Sequence, residues 1–236
     1  MRITALIAAV ALALAGCASS PPPAPPAAAE TLPGTVTVRP GERTELVTGL
    51  NAPWGLAFLP DGSALVSERL TGRILRVPAS GGSATVVGEV PGVVTSSEGG
   101  LLGIATSPGF EQDRTVFAYV SGNPDNRVVA LEIDEDHRGL RVSRVLLDGI
   151  GTADRHHGGR LRIGPDGKLW IGTGDAFSPE NAADDDSYNG KILRIELDGS
   201  IPEDNPSGTA IYSSGHRNVQ GITFGPDGTV YASELG

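Results

Sequence analysis

Cysteine occurs once in 236 residues, so no disulfide within the chain can stiffen the fold. Basic residues are scarce as well: 18 Lys and Arg stand against 28 Asp and Glu, a formal charge of -10. Nucleic-acid binding rests on basic patches that displace counterions from phosphates, and none is clustered here, which argues against that class of partner. Neither HxxxH nor CxxC spacing occurs, so a zinc site has little support. The acidic run Asp184, Asp185, Asp186 lacks the ligand spacing of an EF-hand and reads as a solvated loop. Long apolar helical stripes are few. What is plentiful is glycine (33) and proline (18), the composition of a turn-rich, all-β chain long enough for one sizeable core.

The N-terminal stretch "MRITALIAAVALALAGC" has one Arg, an apolar run too short to span a membrane as a lasting helix, and then small residues. Residues 1–16 therefore read as a secretory signal. Cys17 closes "LAGC", which resembles the bacterial lipobox, where the thiol is acylated and the chain is cut just before it. The plainer alternative is an ordinary signal peptide that happens to contain a cysteine. A diacylglyceryl group supplies two acyl chains, enough for stable anchoring, so the expected location is the extracytoplasmic face of the cell membrane, held by lipid on Cys17. Residues 17–44 are rich in Pro and Ala and form an extended tether. The folded domain is expected over 45–236.

A motif recurs along that domain: "GLAFLPDGSALVSE" (55–68), "GIATSPGFEQDRTVFAYVS" (103–121), "LRIGPDGKLWIGTGD" (161–175) and "ITFGPDGTVYASE" (222–234). Each is an apolar strand, a proline-containing turn and a second strand. The prolines at 60, 108, 165 and 226 are 48, 57 and 61 residues apart. Further strand-like segments lie between: "GRILRV" (72–77), "RVVALEID" (127–134) and "GKILRIELDG" (190–199). Repeats of this length built only of short strands predict the four-stranded blades of a β-propeller. The chain holds about four such repeats, the last of them stopping after one hairpin, so the propeller is expected to be incomplete.

Four histidines are present, and His156 and His157 stand together in "RHHGGRLRIGPDG". A histidine beside Gly-Gly caps or lines a turn; alternatively, an imidazole with an acid partner abstracts protons near neutral pH. The ionisable residues of "GTGD" (172–175) and "GHRN" (215–218) also fall in loops or at strand ends, where propellers build sites around the central channel.

Several segments, in order, resemble the soluble sugar dehydrogenases that depend on pyrroloquinoline quinone (PQQ), the glucose/sorbosone dehydrogenase family. They are "APWGLAFLPDG" (52–62), "SERLTGRILRV" (67–77), "EGGLLGIATSPGF" (98–110), "HHGGRLRIGPDGKLWIGTGD" (156–175), "NGKILRIELDGSIPEDNP" (189–206) and "GHRNVQGITFGPDGTVYASELG" (215–236). The resemblance implies a six-bladed propeller that holds PQQ and calcium at the top of its channel and oxidises an aldose sugar at C1 to the lactone. By motif, His156 matches the general base, Asp175 the acid that orients it, Arg217 the guanidinium beside the quinone oxygens and Asn218 a neighbouring cofactor contact. His157 takes a position of variable character and is assigned no role. Glu98 occupies a substrate-pocket position where glucose-oxidising members have Gln, which fits a broader aldose-oxidising branch. The Gly236 backbone carbonyl matches a calcium ligand.

The family's later cofactor-gripping basic residues have no counterpart, so the resemblance implies a C-terminally truncated or decayed copy with about two blades absent and impaired activity. The electron acceptor is not specified by the residues. Two other functions fit a propeller: a non-catalytic sugar- or protein-binding lipoprotein, and a calcium-dependent lactonase, whose metal-binding carboxylates have no visible counterpart. Retention of His156, Asp175 and Arg217 together favours the dehydrogenase.

Overall fold

Three Pro-Asp-Gly turns set the pattern of the chain, and in the computed structural model, which describes residues 41–236, they share one geometry. Gly62, Gly167 and Gly228 take φ values of 81°, 75° and 82°, a region that side chains with a Cβ resist. The preceding aspartate folds back on its own turn. Asp61 accepts the Ser63 N–H at 2.9 Å, Asp166 that of Lys168 at 3.2 Å and Asp227 that of Thr229 at 3.0 Å. Proline fixes the entry dihedral and the Asx contact fixes the exit, so each motif closes a hairpin. At Pro108 a one-turn helix, α1 (Phe110–Asp113), takes the place of the tight turn, and Asp113 accepts the Thr115 N–H at 2.8 Å in the same way.

The strands these turns connect form consecutive antiparallel meanders. β1 (Pro53–Phe58), β2 (Ala64–Glu68), β3 (Arg73–Val77) and β4 (Thr85–Glu89) make the first sheet. β5 (Leu101–Thr106), β6 (Thr115–Ser121), β7 (Asp125–Ile133) and β8 (Leu140–Gly151) make the second. β9 (Gly158–Ile163), β10 (Leu169–Thr173), β11 (Lys191–Ile195) and β12 (Ile211–Ser214) make the third, with a short helix α2 (Pro179–Ala183) in the connection from β10 to β11. β13 (Val219–Phe224) and β14 (Val230–Glu234) make a final hairpin. The all-β expectation holds, and the sheets form an open arc of propeller blades. One compact unit runs over Thr44–Gly236. The signal segment, Cys17 and the tether up to residue 40 lie outside the described residues.

Sheet stacks on sheet because the middle strands are apolar on both faces. In β6, Val116, Ala118 and Val120, with Leu101 of their own sheet, pack toward Leu65 and Ile74 of the first sheet, whereas Phe117 and Tyr119 pack toward the third with Leu161, Leu169, Ile171 and Leu193. This is the two-residue alternation of a strand buried on both sides. Burying each such large side chain contributes about 1.5–3 kcal/mol. Trp170 and Ile192 pass the packing on to Val219 and Ile222 of the last hairpin. The first strands of successive sheets also pack in series, β1 on β5, β5 on β9 and β9 on β13. The approach is close enough that a Cβ at Gly103 would stand 2.1 Å from the Gly159 carbonyl oxygen. These first strands and the loops at their ends carry the site.

Candidate active site

His156 lies just before β9 in the left-handed backbone region, with φ of 61°. Its carbonyl oxygen crowds the loop opposite: a Cβ at Gly174 would meet it at 1.9 Å, so only glycine fits there. The imidazole is buried, and its Nδ1 is 2.7 Å from Asp175 Oδ1. A carboxylate only accepts, so Nδ1 carries a proton, and in the neutral ring Nε2 presents its lone pair. Among the described residues Nε2 has no hydrogen-bond partner, and His156 lines a cavity of about 480 Å3 together with Asp175, Phe177, His216 and Arg217. An imidazole so held can take a proton from a hydroxyl placed in that cavity.

Asp175 owes its position to its neighbours. Its Oδ1 also accepts the Phe177 N–H at 2.8 Å, its N–H donates to the Arg217 carbonyl at 2.8 Å, and its carbonyl accepts Asn181 Nδ2 at 2.9 Å. Phe177 sets its ring edge-on to His156, centroids 5.1 Å apart. The far wall is apolar, made by Pro179, Ala182 and Ala183 of α2. Lys191 pins that wall from behind. Its side chain is wholly buried, and Nζ donates to the carbonyls of Asn181, Ala182 and Asn189 at 2.7, 3.0 and 2.9 Å. Burial pulls the ammonium below the ordinary lysine value, with Asp184 and Asp185 acting in the opposite direction. The Asp184–Asp186 run is itself exposed, as a solvated loop.

Arg217 is exposed at the edge of the same cavity, its guanidinium donating to the Leu235 carbonyl and its backbone N–H to Glu234 Oε2 at 2.8 Å. Gly236 lies against the Arg217 side chain. Asn218 is buried beneath. Its Oδ1 accepts the Gly158 N–H at 2.9 Å, which fixes the amide orientation, and its Nδ2 is a buried donor without a partner. Such an orphan is costly unless a ligand satisfies it. Asn218 and Glu98 line a second, smaller cavity of about 250 Å3 with Trp54, Arg69 and Gln220. Glu98 points its Oε2 at the His156 backbone N–H, 2.7 Å away. The candidates therefore fall in two adjoining spaces: His156, Asp175 and Arg217 in one, Glu98 and Asn218 in the other.

His157 is built differently. Its Nδ1 is 2.9 Å from Asn126 Oδ1 and 3.1 Å from Ser121 Oγ, and its carbonyl accepts the hydroxyl of the fully buried Tyr119 at 2.9 Å. Burial lowers its affinity for a proton below that of an ordinary histidine. It ties the second sheet to the third, and it also borders the smaller cavity that Glu98 and Asn218 line.

Three further residues shape the site without a role assigned to them by the sequence, His216, Glu234 and Lys191. His216 pairs Nδ1 with Glu234 Oε1 at 2.7 Å. Burial pushes the Glu234 carboxyl up, but the bonds from His216 and the Arg217 N–H outweigh it and hold the group below the usual range. His216 stands inside "GHRN" and Glu234 inside "SELG", so a signal existed in the motifs. Lys191 carries none, since a lysine beginning a strand reads as a surface residue.

The family model described as Glucose / Sorbosone dehydrogenase matches residues 50–236. The chain is 35% identical over 232 residues to quinoprotein glucose dehydrogenase B of Acinetobacter calcoaceticus, covering 83% of this chain and 48% of that protein. It is 31% identical over 191 residues to an aldose sugar dehydrogenase of Escherichia coli, covering 75% and 51%. The structure of the PQQ-bound form of aldose sugar dehydrogenase from Streptomyces coelicolor matches with a TM-score of 0.79 and 45% identity, covering 81% of this chain and 58% of that one. The chain spans about half the length of the curated relatives it matches.

Proposed function

The chain belongs to the glucose/sorbosone dehydrogenase family, and from that premise we propose that the full-length protein is a PQQ-dependent dehydrogenase oxidising an aldose sugar at C1 to the lactone. The observation that carries the proposal is the buried His156–Asp175 pair, with Nδ1 to Oδ1 at 2.7 Å and Nε2 left open to the cavity that Arg217 also lines.

PQQ, when bound, supplies a hydride-accepting quinone from which an external acceptor removes the electrons. Arg217 and Asn218 would hold it. A guanidinium suits an anionic ring system that gains negative charge, and the unpartnered Asn218 Nδ2 suits a carbonyl or carboxylate oxygen. Calcium enters the proposal only through the Gly236 carbonyl. Among the described residues no group of three or more His, Cys, Asp or Glu side chains gathers to hold a metal.

The chain's own residues supply the proton side of the reaction. His156 Nε2 accepts the proton of the C1 hydroxyl as the C1–H bonding pair departs and the C1–O double bond forms. Asp175 stabilises the imidazolium that results, its Oδ1 already set on Nδ1–H. The apolar wall of Pro179, Ala182 and Ala183 keeps water from that face of the sugar.

Lipid on Cys17 would hold the protein at the extracytoplasmic face of the cell membrane, a proposal resting on "LAGC" behind an apolar signal. Adding PQQ to the protein and following dye reduction tests the activity. Reduction should require an aldose. A protein that binds sugar but never reduces the dye with any aldose would be a binding module instead.

A further inference from the structure

His156 holds a conformation that only a few per cent of non-glycine residues adopt. If the residue relaxed to an extended or right-handed backbone, the ring would swing away from Asp175 and Nε2 would leave the cavity. Something must therefore hold the peptide as well as the ring. On the carbonyl side the Ala176 N–H donates at a long 3.3 Å. On the amide side the contact is short and carries charge: the His156 N–H donates to Glu98 Oε2 at 2.7 Å, across 58 residues of chain. Charge-assisted bonds of this length are about twice as strong as neutral ones. Glu98 stands at the entry to the second sheet, and its own N–H donates to the Asp154 carbonyl at 3.3 Å, two residues before His156. Side chain and backbone of Glu98 together thus grip the segment 154–156 from outside.

We infer that Glu98 is a positioning residue that clamps the His156 backbone so that the imidazole meets Asp175 through Nδ1 and faces the cavity through Nε2. Oε2 is engaged by this amide while Oε1 is left without a protein partner among the described residues, so the hold on the base and any contact with a sugar are separable functions of one side chain. The clamp rests on the assignment of His156 as the base, yet the two roles respond differently to substitution of Glu98. The amide oxygen of Gln also accepts a hydrogen bond, whereas Ala offers nothing.

The experiment compares Glu98→Ala and Glu98→Gln in two measurements. The first is hydrogen exchange of the His156 backbone N–H in protein without PQQ. The second is kcat and KM for aldose oxidation with PQQ. In Glu98→Ala the His156 amide should lose its protection and kcat should fall about ten- to a hundredfold, the scale of a catalytic group misplaced by about an ångström, with KM within twofold. Glu98→Gln should restore most of both. Unchanged amide protection in Glu98→Ala would overturn the inference. So would a rise in KM shared by both variants with kcat kept, because that pattern marks a sugar-binding group. Lost protection in Glu98→Ala with recovery in Glu98→Gln upholds the clamp even if His156→Ala leaves turnover intact, and that combination would overturn only the role of His156 as base.

Discussion

His156 and His157 are adjacent in the chain, yet their Nδ1 atoms are held by different sheets: His156 by Asp175 Oδ1 at 2.7 Å, at the end of the third, and His157 by Asn126 Oδ1 at 2.9 Å, in the second. The left-handed turn at His156, followed by the glycine pair, sends the two rings apart. One ring keeps a nitrogen open to a cavity. The other engages its Nδ1 with Asn126 and Ser121 and borders the smaller cavity beside Glu98 and Asn218.

A structural histidine should be missed as stability. His157→Ala should lower stability by about 1–3 kcal/mol, because Asn126 and Ser121 lose a buried partner, while turnover per folded molecule stays near the wild-type value. Thermal melts and activity normalised to folded protein measure the two effects. A variant that melts like the wild type but has lost turnover would reverse the assignment.

The same residue should govern the first part of acid destabilisation. Burial depresses the folded-state affinity of His157 from the ordinary value of 6.5. The unfolded chain therefore binds the proton more readily, and stability present above pH 6.5 is lost as the pH falls below it. In His157→Gln the melting temperature should be flatter just below pH 6.5. An identical slope in both proteins would contradict this.

Carboxylates should take over at lower pH. The Asp61 carboxyl is lowered from 3.8 to about 2, chiefly by the bonds from Ser63 and with help from Arg76. Burial pushes Glu68 up, but the Asn51 N–H, Thr71 and Arg73 outweigh it and hold it below 4.5. Both shifts are downward, so their stabilisation is complete above the unfolded values and is lost as the pH falls from about 4.5 toward about 2. Glu68→Gln should melt lower than wild type at pH 7 and show a shallower acid decline. Parallel acid declines would contradict the role of Glu68.

Lys191 should be intolerant of an apolar substitute. Lys191→Met strips a donor from three carbonyls, at about 1–3 kcal/mol for each one left buried and unsatisfied. Loss of thermal stability should come with protease sensitivity around α2. A Met variant as stable as wild type would show that the three carbonyls find other donors.

The blades were legible in the sequence because their signal is local. Pro165-Asp166-Gly167 carries its whole turn within a few residues, and the apolar alternation of 115–121 states which side chains face which neighbour. The site was legible only in outline. Nothing in "RHHGG" itself separates His156 from His157, and only the register of the family motif does so. The bond from Glu98 to His156 spans 58 residues and exists because the second and third sheets stack. Burial of Lys191 depends on carbonyls presented by residues 181, 182 and 189, an arrangement without a sequence pattern of its own. The division of the candidate residues between two cavities is likewise a product of packing.

The most direct test of the central claim is sugar-dependent dye reduction by the full-length protein with PQQ, measured for wild type, His156→Ala and His157→Ala, with PQQ binding followed in parallel. His156→Ala should lower kcat by on the order of 10²-fold or more, the range for removal of a general base, with PQQ binding largely kept. His157→Ala should retain most turnover per folded molecule. Equal losses in the two variants, or full turnover in His156→Ala, would contradict the account.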